Sequence, residues 1–224
     1  MEDAPFADVS APGAASHAGF DDCDLSTLHS IFAEVVQALD RHEIPYVVIG
    51  GLASAALGRP RASGDIDILV TPHDARPALA ALGDAGFHTD EINPHWLFKA
   101  IKHGVLVDLL FKMKGDIYLD DEMLARADVR NVYAHPARVI PREDLVVVKA
   151  LAHDEESSRH WFDALGVLAG GGLDWEYLLR RAAKGPRRVL SLLLYATSVD
   201  LVVPPSIIRR LHDVAFIEPE QVTP

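Results

Sequence analysis

Three aspartates stand where a carboxylate is costly. The stretch Gly64-Asp65-Ile66-Asp67-Ile68-Leu69-Val70 alternates acidic and apolar residues before turning fully apolar. Extended geometry puts Asp65 and Asp67 on one face and Ile66 and Ile68 on the opposite, core-facing one. Two carboxylates at i and i+2 repel, so the pair needs a cation between them or full screening by water. Oxygen donors of this kind suit Mg2+ or Mn2+. The plainer alternative is an exposed strand end with two solvated acids. In Val105-Leu106-Val107-Asp108-Leu109-Leu110-Phe111 one acid interrupts an apolar run. Such a run reads as a strand covered on both faces. The Asp108 carboxylate then needs a metal, a cation or several donors, and backbone amides could supply the last.

Other residues could handle phosphate. At Ile49-Gly50-Gly51-Leu52 a strand ends, two glycines turn the chain and a helix begins. Free helix N-terminal amides attract phosphate, and glycine lets it approach the backbone. The same residues also suit an ordinary strand-to-helix turn. Lys149 lies among Val146, Val147, Val148 and Leu151, so its ammonium must find a counter-charge or snorkel to the core edge. Arg59 and Arg61 flank the preceding loop, as phosphate clamps or as solvated charges. Asp163 follows Arg159 at helical pairing distance.

The positioning elements are legible from periodicity. A helix is expected over Leu25–His42, with Leu28, Phe32, Val35, Val36 and Leu39 on one stripe. A short strand follows at Tyr46–Ile49, then a helix over Leu52–Leu57, a strand over Asp65–Val70 and a helix over His73–Gly83. His95–Ile101 and Val105–Phe111 read as a hairpin turned at Lys102-His103-Gly104. After Pro141 the texture becomes helical: Glu143–His153, Glu155–Ala169, Asp174–Ala183 with Asp174 as N-cap, and Val189–Val199. The expected organisation is a disordered tail over 1–24, a catalytic domain over 25–140 and a helical region over 141–224. The fold class is α/β (α+β), a small mixed sheet flanked by helices plus a C-terminal helical segment.

Taken together, the hydrophobic-Gly-Gly turn, the Asp65-Ile66-Asp67-Ile68 strand and the Val107-Asp108-Leu109 strand resemble the signature of the polymerase-beta-like nucleotidyltransferase superfamily. Arg61-Ala62-Ser63-Gly64 resembles the Arg-x-[Ser/Thr]-x run found before the paired acids. Many members carry Ser where this chain has Gly51, which leaves only backbone amides there. The resemblance covers roughly residues 45–112. It implies that Asp65, Asp67 and Asp108 are catalytic and bind Mg2+ or Mn2+, and that Gly50, Gly51, Arg61 and Ser63 surround a nucleoside triphosphate. Further on, Leu145-Val146-Val147-Val148-Lys149-Ala150-Leu151-Ala152 and Arg159-His160-Trp161-Phe162-Asp163 resemble AbiEii-type nucleotidyltransferases, a class that includes toxins. That likeness implies that Lys149 contacts the triphosphate and Asp163 supports the site. It also implies an acceptor that is tRNA or protein, with an antitoxin as partner. Two rivals remain: an enzyme that adenylylates an antibiotic or other small molecule, and a catalytically silent protein that keeps the fold.

Composition sets bounds on these readings. The 224 residues, 49% of them apolar, are enough for a real core. The lone Cys23 excludes an intramolecular disulfide or a cysteine-cluster zinc site and fits a reducing compartment. The first 24 residues lack Lys, Arg and any apolar stretch, so no secretory signal is expected, nor any membrane span. The expected location is the cytoplasm. Net charge is −12, and removing the acids Glu2, Asp3, Asp8, Asp21, Asp22 and Asp24 leaves −6. A body this acidic attracts nucleic acid only through a local basic patch, for which Arg180-Arg181, Lys184 and Arg187-Arg188 are the candidate. His95, His103, His135, His153 and His160 show no metal spacing and read as surface or edge residues. Trp96, Trp161 and Trp175 read as core.

Overall fold

The computed structural model describes residues 25–216, so the tail expected over residues 1–24 lies outside them. The chain begins with α1 (Leu25–Arg41), whose predicted stripe is buried throughout. It stops one turn before Pro45, where Glu43 takes a φ of 54°. Next come β1 (Tyr46–Val48), α2 (Gly50–Leu57), β2 (Asp65–Val70) and α3 (Ala75–Asp84). Three strands follow: β3 (His88–Asn93), β4 (Leu97–Lys102) and β5 (Val105–Leu110). After α4 (Asp121–Arg126) comes a hairpin of β6 (Asp128–Val132) and β7 (His135–Val139). From there the described chain is helical: α5 (Arg142–Ala152), α6 (Arg159–Ala169), α7 (Trp175–Ala182), α8 (Pro186–Ser198) and α9 (Pro205–Phe216).

The strands form one mixed sheet of seven in the order β3-β4-β5-β2-β1-β7-β6. Parallel pairs (β2 with β5, β1 with β7) sit among antiparallel ones. The expected mixed sheet flanked by helices is present, and larger than the sequence indicated. β3 escaped notice because His-Thr-Asp-Glu-Ile-Asn is polar, as befits an edge strand. The β6–β7 hairpin escaped because its two-residue turn is Tyr133-Ala134, with φ of 51° and 63° and no glycine or asparagine. Tyr133 is held there by stacking on His29 at 4.1 Å and by an edge contact with Phe32. The β4–β5 hairpin turns as predicted, with φ of 48° at His103 and 79° at Gly104.

Helices α1 and α3 pack against the β3–β5 side of the sheet. Arg76 of α3 reaches Glu91 on β3 and Phe98 on β4 from that side. Ile66, Ile68, Val107 and Leu109 point the same way and are fully buried. Alternation therefore turns Asp65, Asp67 and Asp108 to the opposite face. The soft boundary expected near Ile140 falls between β7 and α5, and one continuous hydrophobic core spans it from Leu28 to Ala215. Asp174 caps α7 by accepting from the amides of Glu176 and Tyr177. No helix among the described residues is long and apolar enough to cross a membrane.

Candidate active site

Cross-strand register assembles the acids. In the parallel β2–β5 pair Asp67 lies directly opposite Asp108, and Asp65 is two residues back on the same face. The α2 turn closes over them. A side chain at Gly50 would place its Cβ 1.7 Å from Asp67 Oδ2, and Gly50 also has a φ of +63°. At Gly51 a Cβ would sit 2.2 Å from Ser63 Oγ and 2.9 Å from an Arg61 guanidinium nitrogen. Close approach thus requires both glycines, and at Gly50 the positive φ requires one as well. The Gly51 amide donates to the Asp67 carboxylate, and the Ser63 hydroxyl donates to Asp65 Oδ1 at 2.8 Å.

Electrostatics mark Asp67. It lies deep in the cleft although part of its surface meets solvent. Burial first, then the charges of Asp65 and Asp108, push its carboxyl up to about 7. Lys149 and the Gly51 amide pull the other way without winning. A carboxyl raised by like charges is one that a cation would relieve. The third acid has a partner that the sequence reading did not name. Lys99 on β4 faces Asp108 in register and donates from Nζ to Oδ1 at 2.8 Å.

A second cluster lies beneath. Asp163 accepts from Arg61 through Nε at 2.9 Å and through a terminal nitrogen at 3.1 Å, and from Lys149 Nζ at 2.7 Å. Burial opposes ionisation of Asp163, but the Arg61 and Lys149 hydrogen bonds and charges hold its carboxyl below the usual range. Lys149 has thus found its counter-charge inside the core rather than by snorkelling, with both side chains about 5% exposed or less. Asp163 pairs with Arg61 and Lys149, not with Arg159. Arg61 also donates to its neighbour's carbonyl at Ala62, so its guanidinium faces protein on several sides. The network ties α5 and α6 to the loop that carries Ser63. Arg59 instead lies over the Phe162 ring at 5.1 Å.

Several peripheral expectations change. The basic cluster, the candidate patch for nucleic acid, is largely paired within the chain. Arg181 bonds Asp144 and Asp120, Arg180 bonds Glu122, and Arg187 and Arg188 donate to the carbonyls of Ala215 and His153. Trp96, expected in the core, is 41% exposed between β3 and β4. Trp161 stacks on His153 at 4.6 Å. Burial, then Lys149, push His160 down to about 4, so it is more than an edge residue. Among the described residues, His153 Nδ1, His160 Nδ1 and Trp161 Nε1 are buried without a hydrogen-bond partner.

The donor set, carboxylate oxygens on one face with mutual repulsion to relieve, fits a hard divalent cation. As the side chains stand, no three Asp, Glu, His or Cys residues among those described are gathered to hold one. Asp108 is turned to Lys99 and Asp65 accepts from Ser63.

A model of a family described as uncharacterised nucleotidyltransferase matches residues 25–201. The chain belongs to this nucleotidyltransferase family. Solved structures agree at the level of fold. One is ANT(2")-Ia in complex with adenylyl-2"-tobramycin, with a TM-score of 0.51 and 21% identity over 72% of this chain and 98% of that one. Another is an antigenic nucleotidyltransferase-like protein from Paracoccidioides brasiliensis, with a TM-score of 0.51 and 13% identity over 86% and 98%. No curated protein sequence matches the chain.

Proposed function

We propose that this nucleotidyltransferase-family chain transfers a nucleoside monophosphate from a nucleoside triphosphate to a hydroxyl of a small-molecule acceptor, in a reaction that depends on Mg2+ or Mn2+. The observation that carries the reading is the in-register set of Asp65, Asp67 and Asp108 beneath a glycine turn. Asp65, Asp67 and Asp108 would hold the divalent ion, which when bound neutralises the triphosphate and orients its alpha-phosphate. The amides of Gly50 and Gly51 cradle phosphate. Ser63 orients Asp65. Lys149, fixed by Asp163 and Arg61, keeps positive potential at the cleft floor against charge developing on the leaving group. The acceptor oxygen forms its bond to the alpha-phosphorus as the bond to the bridging oxygen breaks. Pyrophosphate leaves, and the acceptor proton passes to Asp108 as general base.

The acceptor follows from charge. With the arginine cluster paired internally and the chain at −12, a large RNA footprint has little electrostatic support. An acidic cleft suits a cationic, hydroxylated small molecule, and the fold likeness to ANT(2")-Ia is in keeping with that. The toxin-like reading, with tRNA or protein as acceptor and an antitoxin as partner, rests on the resemblance of the segments that carry Lys149 and Asp163 to that class. One assay separates the readings. The protein is incubated with each alpha-phosphate-labelled nucleoside triphosphate, Mg2+ or Mn2+, and total tRNA, protein extract or an aminoglycoside panel. Label moving to the aminoglycosides, and lost with Asp65→Ala, supports the proposal. Label in tRNA or protein replaces the acceptor class, and no transfer with no triphosphate binding leaves a silent scaffold.

A further inference from the structure

We infer that Lys99 is a positioning residue that holds Asp108 away from the other two acids until a divalent cation draws it in. The two-residue turn at His103-Gly104 sets Lys99 directly opposite Asp108, and the pair closes at 2.8 Å. Asp108 lies opposite Asp67 on its other flank. It therefore has an acid on one side and an ammonium on the other, and Coulomb attraction turns it to the ammonium. The Lys99 and Asp108 side chains are only 30% and 20% exposed, so the pair is partly shielded from screening. This resolves an apparent mismatch. The three acids share a face, yet among the described residues no three ligating side chains gather at one point.

The inference rests on the metal-dependent reading above, because it takes the three acids as ligands of one site. A divalent ion beside Asp65 and Asp67 carries twice the charge of an ammonium and prefers carboxylate oxygen. Asp108 reaches it only by leaving Lys99. The lysine thus lowers metal affinity and couples metal entry to the release of an ammonium on the β4 side of the cleft, beside the proposed general base.

Mn2+ binding to the full chain, without nucleotide or acceptor, is the direct readout by electron paramagnetic resonance. Lys99→Met should bind Mn2+ about five- to tenfold tighter than the parent, because a competitor and a like charge are both removed. Lys99→Arg keeps the pair and should stay within about twofold of the parent. In an Asp108→Asn background the gain from Lys99→Met should shrink to about twofold or less. Circular dichroism confirms that each variant is folded. Unchanged or weaker binding by Lys99→Met overturns the inference. So does an equal gain in the Asp108→Asn background, which would mean plain charge repulsion. If neither parent nor Lys99→Met binds Mn2+, the three-acid metal reading fails and takes the inference with it. If the parent binds and Lys99→Met gains nothing, the inference fails alone.

Discussion

Replacing Asp67 by Asn should make the metal-free protein more stable while abolishing transfer. Burial, then Asp65 and Asp108, raise the Asp67 carboxyl to about 7 from its ordinary 3.8. The folded chain therefore holds this proton more tightly than the unfolded one. Stability is untouched below the unfolded value, falls as pH climbs toward the folded value, and is level above it. A shift of about 3 units corresponds to a penalty of about 4 kcal/mol at most near pH 8. Asn gives up the attraction of Lys149 and must share the tight space beside Gly50, so the expected gain is about 1–3 kcal/mol. For a folded body of this size, that is a rise in Tm of roughly 3–9 °C. At about pH 5 the penalty in the parent has fallen by more than half, so the gain should shrink with it. Excess Mg2+ should also narrow the gap, because the cation stabilises only the native, charged cluster. Calorimetry with a chelator from about pH 4 to pH 8 reads all of this. A variant no more stable than the parent at the alkaline end, or a gain that grows toward acid, would refute the reasoning.

Other perturbations follow from the same geometry. Asp163→Asn leaves Lys149 buried without a full counter-charge and should cost about 3–5 kcal/mol in urea melts, far more than an exposed pair such as Arg76–Glu91. Gly50→Ala adds a Cβ where Asp67 Oδ2 already lies and forces a positive φ, so it should lose at least about 2 kcal/mol of stability. Ser63→Ala should leave the fold intact and lower kcat by about tenfold, read in the transfer assay, because Asp65 loses its orienting donor.

The acidic face was legible because period-two alternation fixes which residues share a side, and Asp67 and Asp108 each stand between apolar neighbours. The Gly50-Gly51 segment was legible as a tight strand-to-helix turn. That both glycines are also imposed by Asp67, Ser63 and Arg61 depends on a long-range approach that no local pattern carries. Lys99 could have been found. Once the hairpin turn is placed at His103-Gly104, counting back from Asp108 gives its partner directly. β6, β7 and their Tyr133-Ala134 turn could not be found locally, because packing against His29 and Phe32 overrides the turn preferences of those residues. The Arg61–Asp163–Lys149 network spans 102 residues of sequence; each member was singled out separately, but no local pattern says that the three pair with one another.

A crystal of the protein grown with Mn2+ and a non-hydrolysable nucleoside triphosphate is the most direct test of the three-acid site. Anomalous scattering should place manganese among Asp65, Asp67 and Asp108, with the triphosphate against Gly50 and Gly51 and Asp108 released from Lys99. Manganese bound elsewhere, or a triphosphate that avoids the Gly50-Gly51 turn, would contradict it.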